Sequence, residues 1–241
     1  MKPYIAELVG TCLFTLVLIL AAGSGAWVVT IFAVFTLTML SYVIGHVSGA
    51  HVNPAITVGA IVTARIKPMR GLYYIIAQLA GAAVAILLSK WIGLGIVANP
   101  HADISWRLFA AELVGTLVFA FGVASVMFKR SQPTSSGFVV GLSLFTGIIL
   151  SSLMLGGSAV QGAVLNPAIS FGLNLITIEA LIAPLIGAIL GMWLFVILSE
   201  DHRGVWRAFS SSFGKKNSGG NGSTDSSNAA HVSNGAPSVN A

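Results

Sequence analysis

The chain has 241 residues, of which 56% are hydrophobic and only 8% charged. A water-soluble domain carries about 25% charged residues, so a soluble globular fold is excluded. Disorder is excluded too, except from about Ser210 onward, where Ser, Gly, Asn and Ala replace the large apolar residues and cannot offset chain entropy.

The first apolar run, residues 4–22, carries Glu7 near its start and the single cysteine, Cys12, so no intrachain disulfide is available. With Lys2 before it the run superficially resembles a signal peptide, but the repeat described below assigns it to the mature fold. A second run covers residues 27–46 and leads into Gly45-His46-Val47-Ser48-Gly49-Ala50-His51, whose small residues let extended backbone pass close to other elements. Residues 53–63 are apolar but too short to cross a bilayer. Further runs cover residues 72–91, 108–128 and 138–155. A second small-residue stretch, Gly156-Gly157-Ser158-Ala159-Val160-Gln161-Gly162, precedes another short apolar segment, residues 166–175, and the last run is 178–198. A spanning helix needs about 20 residues, and a helix is the one open-chain structure whose backbone is satisfied in hydrocarbon. The six long runs are therefore expected to be transmembrane helices. The two short segments suit re-entrant half-helices, tolerated at membrane depth where they are buried or line a cavity.

Two motifs repeat in order. Ala6-Glu7-Leu8-Val9-Gly10-Thr11 recurs as Ala111-Glu112-Leu113-Val114-Gly115-Thr116, and Asn53-Pro54-Ala55-Ile56 recurs as Asn166-Pro167-Ala168-Ile169. Each half, about 4–91 and 107–198, holds three spans and one half-helix. Three is odd, so the second half lies upside down relative to the first, as in many transport proteins. The fold class expected is an all-α membrane protein: six transmembrane helices and two re-entrant half-helices in an inverted repeat. It occupies residues 1–209, with 210–241 a disordered cytoplasmic tail.

The net charge of +5 and the isoelectric point near 9.7 would suit nucleic acid. The basic residues fall between apolar segments instead, where Lys and Arg orient a membrane protein, so no nucleic-acid partner is expected. With the N-terminus inside, Lys2, Arg65, Lys67, Arg70, Lys129, Arg130, Arg203, Arg207, Lys215 and Lys216 are cytoplasmic, and Lys90 and Arg107 alone are external. That split predicts both termini on the cytoplasmic side of the cell membrane.

Pro is favoured at the first position of a helix, and Asn just before it caps free backbone donors. Each Asn-Pro-Ala therefore starts a short helix. In an inverted repeat the two helix N-termini meet near the midplane, each with about half a positive charge. Two Asn amides there can donate to a passing oxygen. Such a centre hydrogen-bonds a neutral polar solute and opposes cations.

Residues 4–200 resemble the aquaporin, or major intrinsic protein, family. The resemblance rests on Ser48-Gly49-Ala50-His51-Val52-Asn53-Pro54-Ala55-Ile56-Thr57, on Asn166-Pro167-Ala168, and on the two Ala-Glu-Leu copies. It implies one narrow pore per subunit, a homotetramer embedded in membrane lipid, and passive flow of water or small neutral solutes. It also implies that Glu7 and Glu112 accept hydrogen bonds from the re-entrant loops rather than relay protons. His46 and His51 read as loop-packing or pore-lining residues, with His46 taken as the further loop support.

The chain departs from the family at the outer constriction. An Arg usually follows the second Asn-Pro-Ala, and here Ile169 stands in its place. The filter position on the second helix falls on Ala33, and that on the second loop on Ala163. Helical pattern puts Ile148 at the fifth-helix position, and spacing to Asn166 puts Met154 there. Ala33, Ile148, Ala163 and Ile169 form an apolar, uncharged filter, and the Met154 alternative is equally apolar. Ser170 is of the water-channel type, whereas Leu181 leans toward glycerol channels. An apolar constriction can dewet, so weak or gated water flow and larger or less polar solutes such as glycerol or ammonia are expected.

No catalytic set appears, so the chain is not expected to be an enzyme, and no cofactor is expected. His46 and His51 have no acid or Cys beside them and do not share a helix face, so no metal site is expected. Gly187-Ala188-Ile189-Leu190-Gly191 reads as close helix packing. The sequon Asn221-Gly222-Ser223 lies in the cytoplasmic tail and carries no weight. Two other classes remain open. An ion-coupled secondary transporter would need a midplane acid. A closed, structural membrane protein with an occluded pore would fit the apolar filter.

Overall fold

A computed structural model describes residues 1–94, 103–156, 164–199 and 202–213. Among the described residues, six helices are long and apolar enough to cross a membrane. They are α1 (Lys2–Ala21), α2 (Ala26–Ser48), α4 (Pro68–Trp91), α5 (Trp106–Met127), α6 (Ser136–Met154) and α8 (Ile178–Leu198). The half-helices are α3 (Pro54–Val62) and α7 (Pro167–Gly172), and α9 (His202–Phe213) follows the last span.

Local chemistry explains the boundaries. Pro at the first turn starts α1, α3, α4 and α7, where a missing N–H costs no intrahelical bond. Pro68 brings Arg70 and Gly71 into the first turn of α4, four residues before the apolar run begins at Leu72. At its far end α2 stops at Gly49, whose φ of 96° lies in the left-handed region that glycine adopts without strain. Helix α7 ends at Gly172, three residues short of the expected 175. Helix α9 was not among the expected elements. It is short and too polar to span, and its last four residues reach into the stretch read as tail; residues 214–241 lie outside the described residues.

The packing maps onto itself when the halves are exchanged. The two most extensive helix pairs are α1 with α4 and α5 with α8. The pair α1–α2 answers α5–α6, α3–α4 answers α7–α8, and α3–α8 answers α4–α7, while α2–α6 and α3–α7 straddle the axis. Small residues make the close pairs possible. Gly81 of α4 lies against the Leu8 carbonyl of α1, and Gly187 of α8 lies against the Leu113 carbonyl of α5 at the equivalent place. Gly191 sits one turn on, against the Leu117 carbonyl, so both glycines of the GxxxG pack inside the bundle.

Burial runs opposite to a soluble domain. Trp27, Phe35, Leu87, Leu153 and Ile197 are exposed, whereas Glu7, Gln78, Glu112 and Glu179 are at most 1% exposed. An apolar exterior with hydrogen-bonded acids and amides inside is what a hydrocarbon solvent selects.

Candidate pore and its re-entrant loops

The two Asn-Pro-Ala segments meet at the centre of the bundle. The Asn53 side-chain oxygen accepts from the Ala55 N–H at 2.8 Å, and the Asn166 oxygen accepts from the Ala168 N–H at 3.0 Å, so each Asn caps its own half-helix. The two amide nitrogens cross over. Asn53 Nδ2 donates to the Leu165 carbonyl at 2.9 Å, and Asn166 Nδ2 donates to the Val52 carbonyl at 2.9 Å. An amide nitrogen carries two protons, so each Asn keeps one to offer to the central cavity that both line. One turn on, the Thr57 and Ser170 hydroxyls donate to the carbonyls of Asn53 and Asn166 at 2.9 and 3.1 Å. Pro54, Ala55, Pro167 and Ala168 are buried behind the asparagines.

The residues before each Asn hold an uncommon backbone. Val52 has φ 39° and Leu165 has φ 58°, a region that bulky L-residues rarely enter. Such strain persists where surroundings over-determine it, and here the two glutamates do so. Glu7 accepts from the His51 and Val52 N–H groups at 3.0 and 2.7 Å. Glu112 accepts from the Val164 and Leu165 N–H groups at 2.7 and 2.8 Å. Each carboxylate, buried in the first part of its span, pins the opposing loop's hydrogen-bonding partner in place.

The support is asymmetric beyond that. Gln78 Nε2 donates to Glu7 at 2.8 Å and to the Thr57 hydroxyl at 3.0 Å. The repeat pairs Gly81 with Gly187, so the counterpart of Gln78 is Pro184, which carries no donor. His51 Nδ1 lies 3.1 Å from the Thr57 hydroxyl, and its ring meets Tyr74 edge-on at 5.2 Å. The Tyr74 hydroxyl donates to the Ser48 carbonyl at 2.8 Å and accepts from Arg70 at 2.8 Å. His46 corrects the expectation placed on it. It is exposed in the last turn of α2 and makes no hydrogen bond among the described residues; His51, five residues on, braces the loop.

The cavity around the Asn pair is about 80 Å³, and Ala33, Ile148 and Ile169 all line it. No charged side chain does so among the described residues. Met154 is not in the wall: it ends α6, and its carbonyl accepts from Arg107 Nε at 2.7 Å. Ala163 lies outside the described residues. Among them no cluster of His, Cys, Asp or Glu can hold a metal.

A third acid, not singled out from the sequence, is buried at the start of the last span. Glu179 is 1% exposed in the first turn of α8 and accepts from the Ser105 N–H, tying that end to the start of α5. Its signal was an acid two residues after the Thr177 cap, where the helix dipole favours negative charge.

A crossed pair of capped half-helices inside six apolar spans defines an aquaporin-like membrane fold. The chain belongs to the major intrinsic protein family, whose profile matches residues 1–195. Among its relatives, aquaporin AqpM of Methanothermobacter marburgensis is 30% identical over 200 residues, 76% of this chain and 81% of that protein. The probable aquaporin TIP1-1 of Oryza sativa subsp. japonica is 32% identical over 175 residues, 70% of each chain. Against aquaporin TIP4-2 of Zea mays the identity is 36%, over 53% of this chain and 49% of that one; the match spans about half that relative's length. The fold is similar to the solved aquaglyceroporin from Plasmodium falciparum, with TM-score 0.62, 18% identity, and coverage of 84% of this chain and 98% of that one.

Proposed function

We propose that this chain is a passive transmembrane channel for water and small uncharged solutes. The observation that carries the reading is the crossed Asn pair: two amides, each with one proton uncommitted, in a cavity whose described walls carry no charge. A passing oxygen trades water hydrogen bonds for those of Asn53 and Asn166, while the half-helix N-termini repel cations.

The outer filter in this reading is Ala33, Ile148, Ala163 and Ile169. It has no fixed donor to replace a solute's hydration, so water is at a disadvantage against glycerol, ammonia and other small neutral solutes. The distribution of Lys and Arg favours both termini inside, and kinship with the family favours a homotetramer in the cell membrane.

Stopped-flow measurement of water, glycerol, urea and ammonia on one proteoliposome preparation tests the reading. Passive flux of at least one of these, unaffected by an ionophore, is the expected result. Uptake that collapses with the ionophore would make the protein an ion-coupled transporter, and water permeability equal to a dedicated water channel would overturn the filter assignment.

A further inference from the structure

The cavity that holds the Asn pair has a smaller neighbour that shares part of its wall. A second chamber of about 30 Å³ lies beyond it, walled by Gly49, Ala50, Val126 and Met127. Leu37, His51 and Phe119 line both chambers. A cavity needs about 10–15 Å³ of such volume to admit a water, so both chambers have room for water. Leu37 lies one turn beyond Ala33 on α2, on the way to Gly49, and Phe119 lies on α5 between Glu112 and Met127. Both are 2% exposed and belong to one apolar cluster. The repeat supplies the aromatic: Phe14 follows Glu7 by the same seven residues as Phe119 follows Glu112, and Phe14 stays in the wall of the larger chamber.

We infer that Leu37 and Phe119 form an apolar septum on the inner side of the Asn pair, and that this septum, more than the outer filter, determines which solutes pass and how fast. The inference rests on the channel reading above and names its controlling residues. Water leaving Asn53 and Asn166 for the smaller chamber meets an isobutyl group and a phenyl ring. Among the described residues, the one polar side chain lining the smaller chamber is His51, and its Nδ1 is already engaged with Thr57. An apolar constriction between two small water-holding spaces interrupts a hydrogen-bonded file and gates by dewetting. The outer mouth, with the small Ala33 in its wall, imposes less. A less polar solute gives up fewer hydrogen bonds at the septum, so the same residues set both rate and solute preference.

The test uses the full chain in proteoliposomes, with water and glycerol fluxes for wild type, Phe119→Ala, Phe119→Leu, Leu37→Ala and, at the outer mouth, Ile148→Ala. Phe119→Ala and Leu37→Ala are expected to raise water flux roughly tenfold, equivalent to about 1.4 kcal/mol off the barrier. Phe119→Leu should fall between, Ile148→Ala should give the smaller gain, and the water-to-glycerol ratio should change with each septum variant. A silent wild type beside a conducting Phe119→Ala supports the septum as well. A conducting wild type whose flux and solute ratio are unmoved by Phe119→Leu and Leu37→Ala overturns the septum and leaves the channel reading standing, as does a larger gain from Ile148→Ala. Silence of every folded variant to both solutes overturns the septum, and silence to urea and ammonia as well overturns the channel reading.

Discussion

Replacing Glu7 with Gln tests whether the buried carboxylates are scaffolding. Glu7 receives three donors: the His51 and Val52 N–H groups and Gln78 Nε2. Gln can place its one oxygen where Val52 and Gln78 converge, but its amide nitrogen then faces the His51 N–H, donor against donor. A buried unsatisfied donor costs about 1–3 kcal/mol. The two surviving bonds fall from the charge-assisted range, about 1.5–3 kcal/mol, to the neutral one, about 0.5–1.5. The whole perturbation is about 3–5 kcal/mol, a large share of the 5–15 kcal/mol of a typical domain. Glu112→Gln meets one orphaned donor and one weakened bond, because Pro184 stands where Gln78 stands, and should cost about 2–4 kcal/mol. Equilibrium unfolding of the full chain in lipid nanodiscs measures both. A Glu7→Gln and Gln78→Leu double-mutant cycle should return a coupling of about 1 kcal/mol or more. A larger loss from Glu112→Gln than from Glu7→Gln, or a coupling of zero between positions 7 and 78, would refute the reasoning.

Ile169→Arg introduces a fixed cation beside the Asn pair, so proton and cation leak should fall and glycerol flux should drop relative to water; liposome currents and paired swelling assays read this, and unchanged leak counts against the filter assignment. Two glycine substitutions should have opposite signs. Gly45→Ala, where a methyl meets nothing within 4 Å, should gain about 1 kcal/mol of helix stability, and Gly187→Leu, driven into the Leu113 carbonyl, should lose about 1–3 kcal/mol or fail to give a monodisperse protein; thermal unfolding distinguishes them.

The spans were legible because a bilayer allows so few solutions: about 20 apolar residues without a satisfied helix cannot exist there. Asn-Pro was legible because its chemistry is local, a cap followed by a residue with no donor to lose. The repeated Ala-Glu-Leu announced paired acids, and the loops that they hold lie one motif downstream in each half. What stayed hidden depends on contact rather than composition. His46 and His51 look alike in sequence, and the end of α2 at Gly49 decides which one turns inward to brace the loop. Gln78, Tyr74 and Arg70 read as ordinary helix residues until α4 packs against α1 and α3. Glu179 was not a candidate in the sequence because Ser105, which it holds, is 74 residues away. Helix α9 has neither the length nor the apolarity of a span, so composition assigned part of it to the tail.

The bonds Asn53 Nδ2 to Leu165 and Asn166 Nδ2 to Val52 join residues 112 and 114 positions apart. During synthesis the first half enters the membrane with its Asn53 amide and Val52 carbonyl unanswered, and they stay so until α7 arrives. Closing such distant contacts is slow compared with forming helices. The crossed Asn centre therefore closes only once the second half has reached the membrane, and each half acts as the template on which the other is completed. Separately expressed halves should find each other through these four groups, and a chain stalled before residue 164 should be the species that quality control removes.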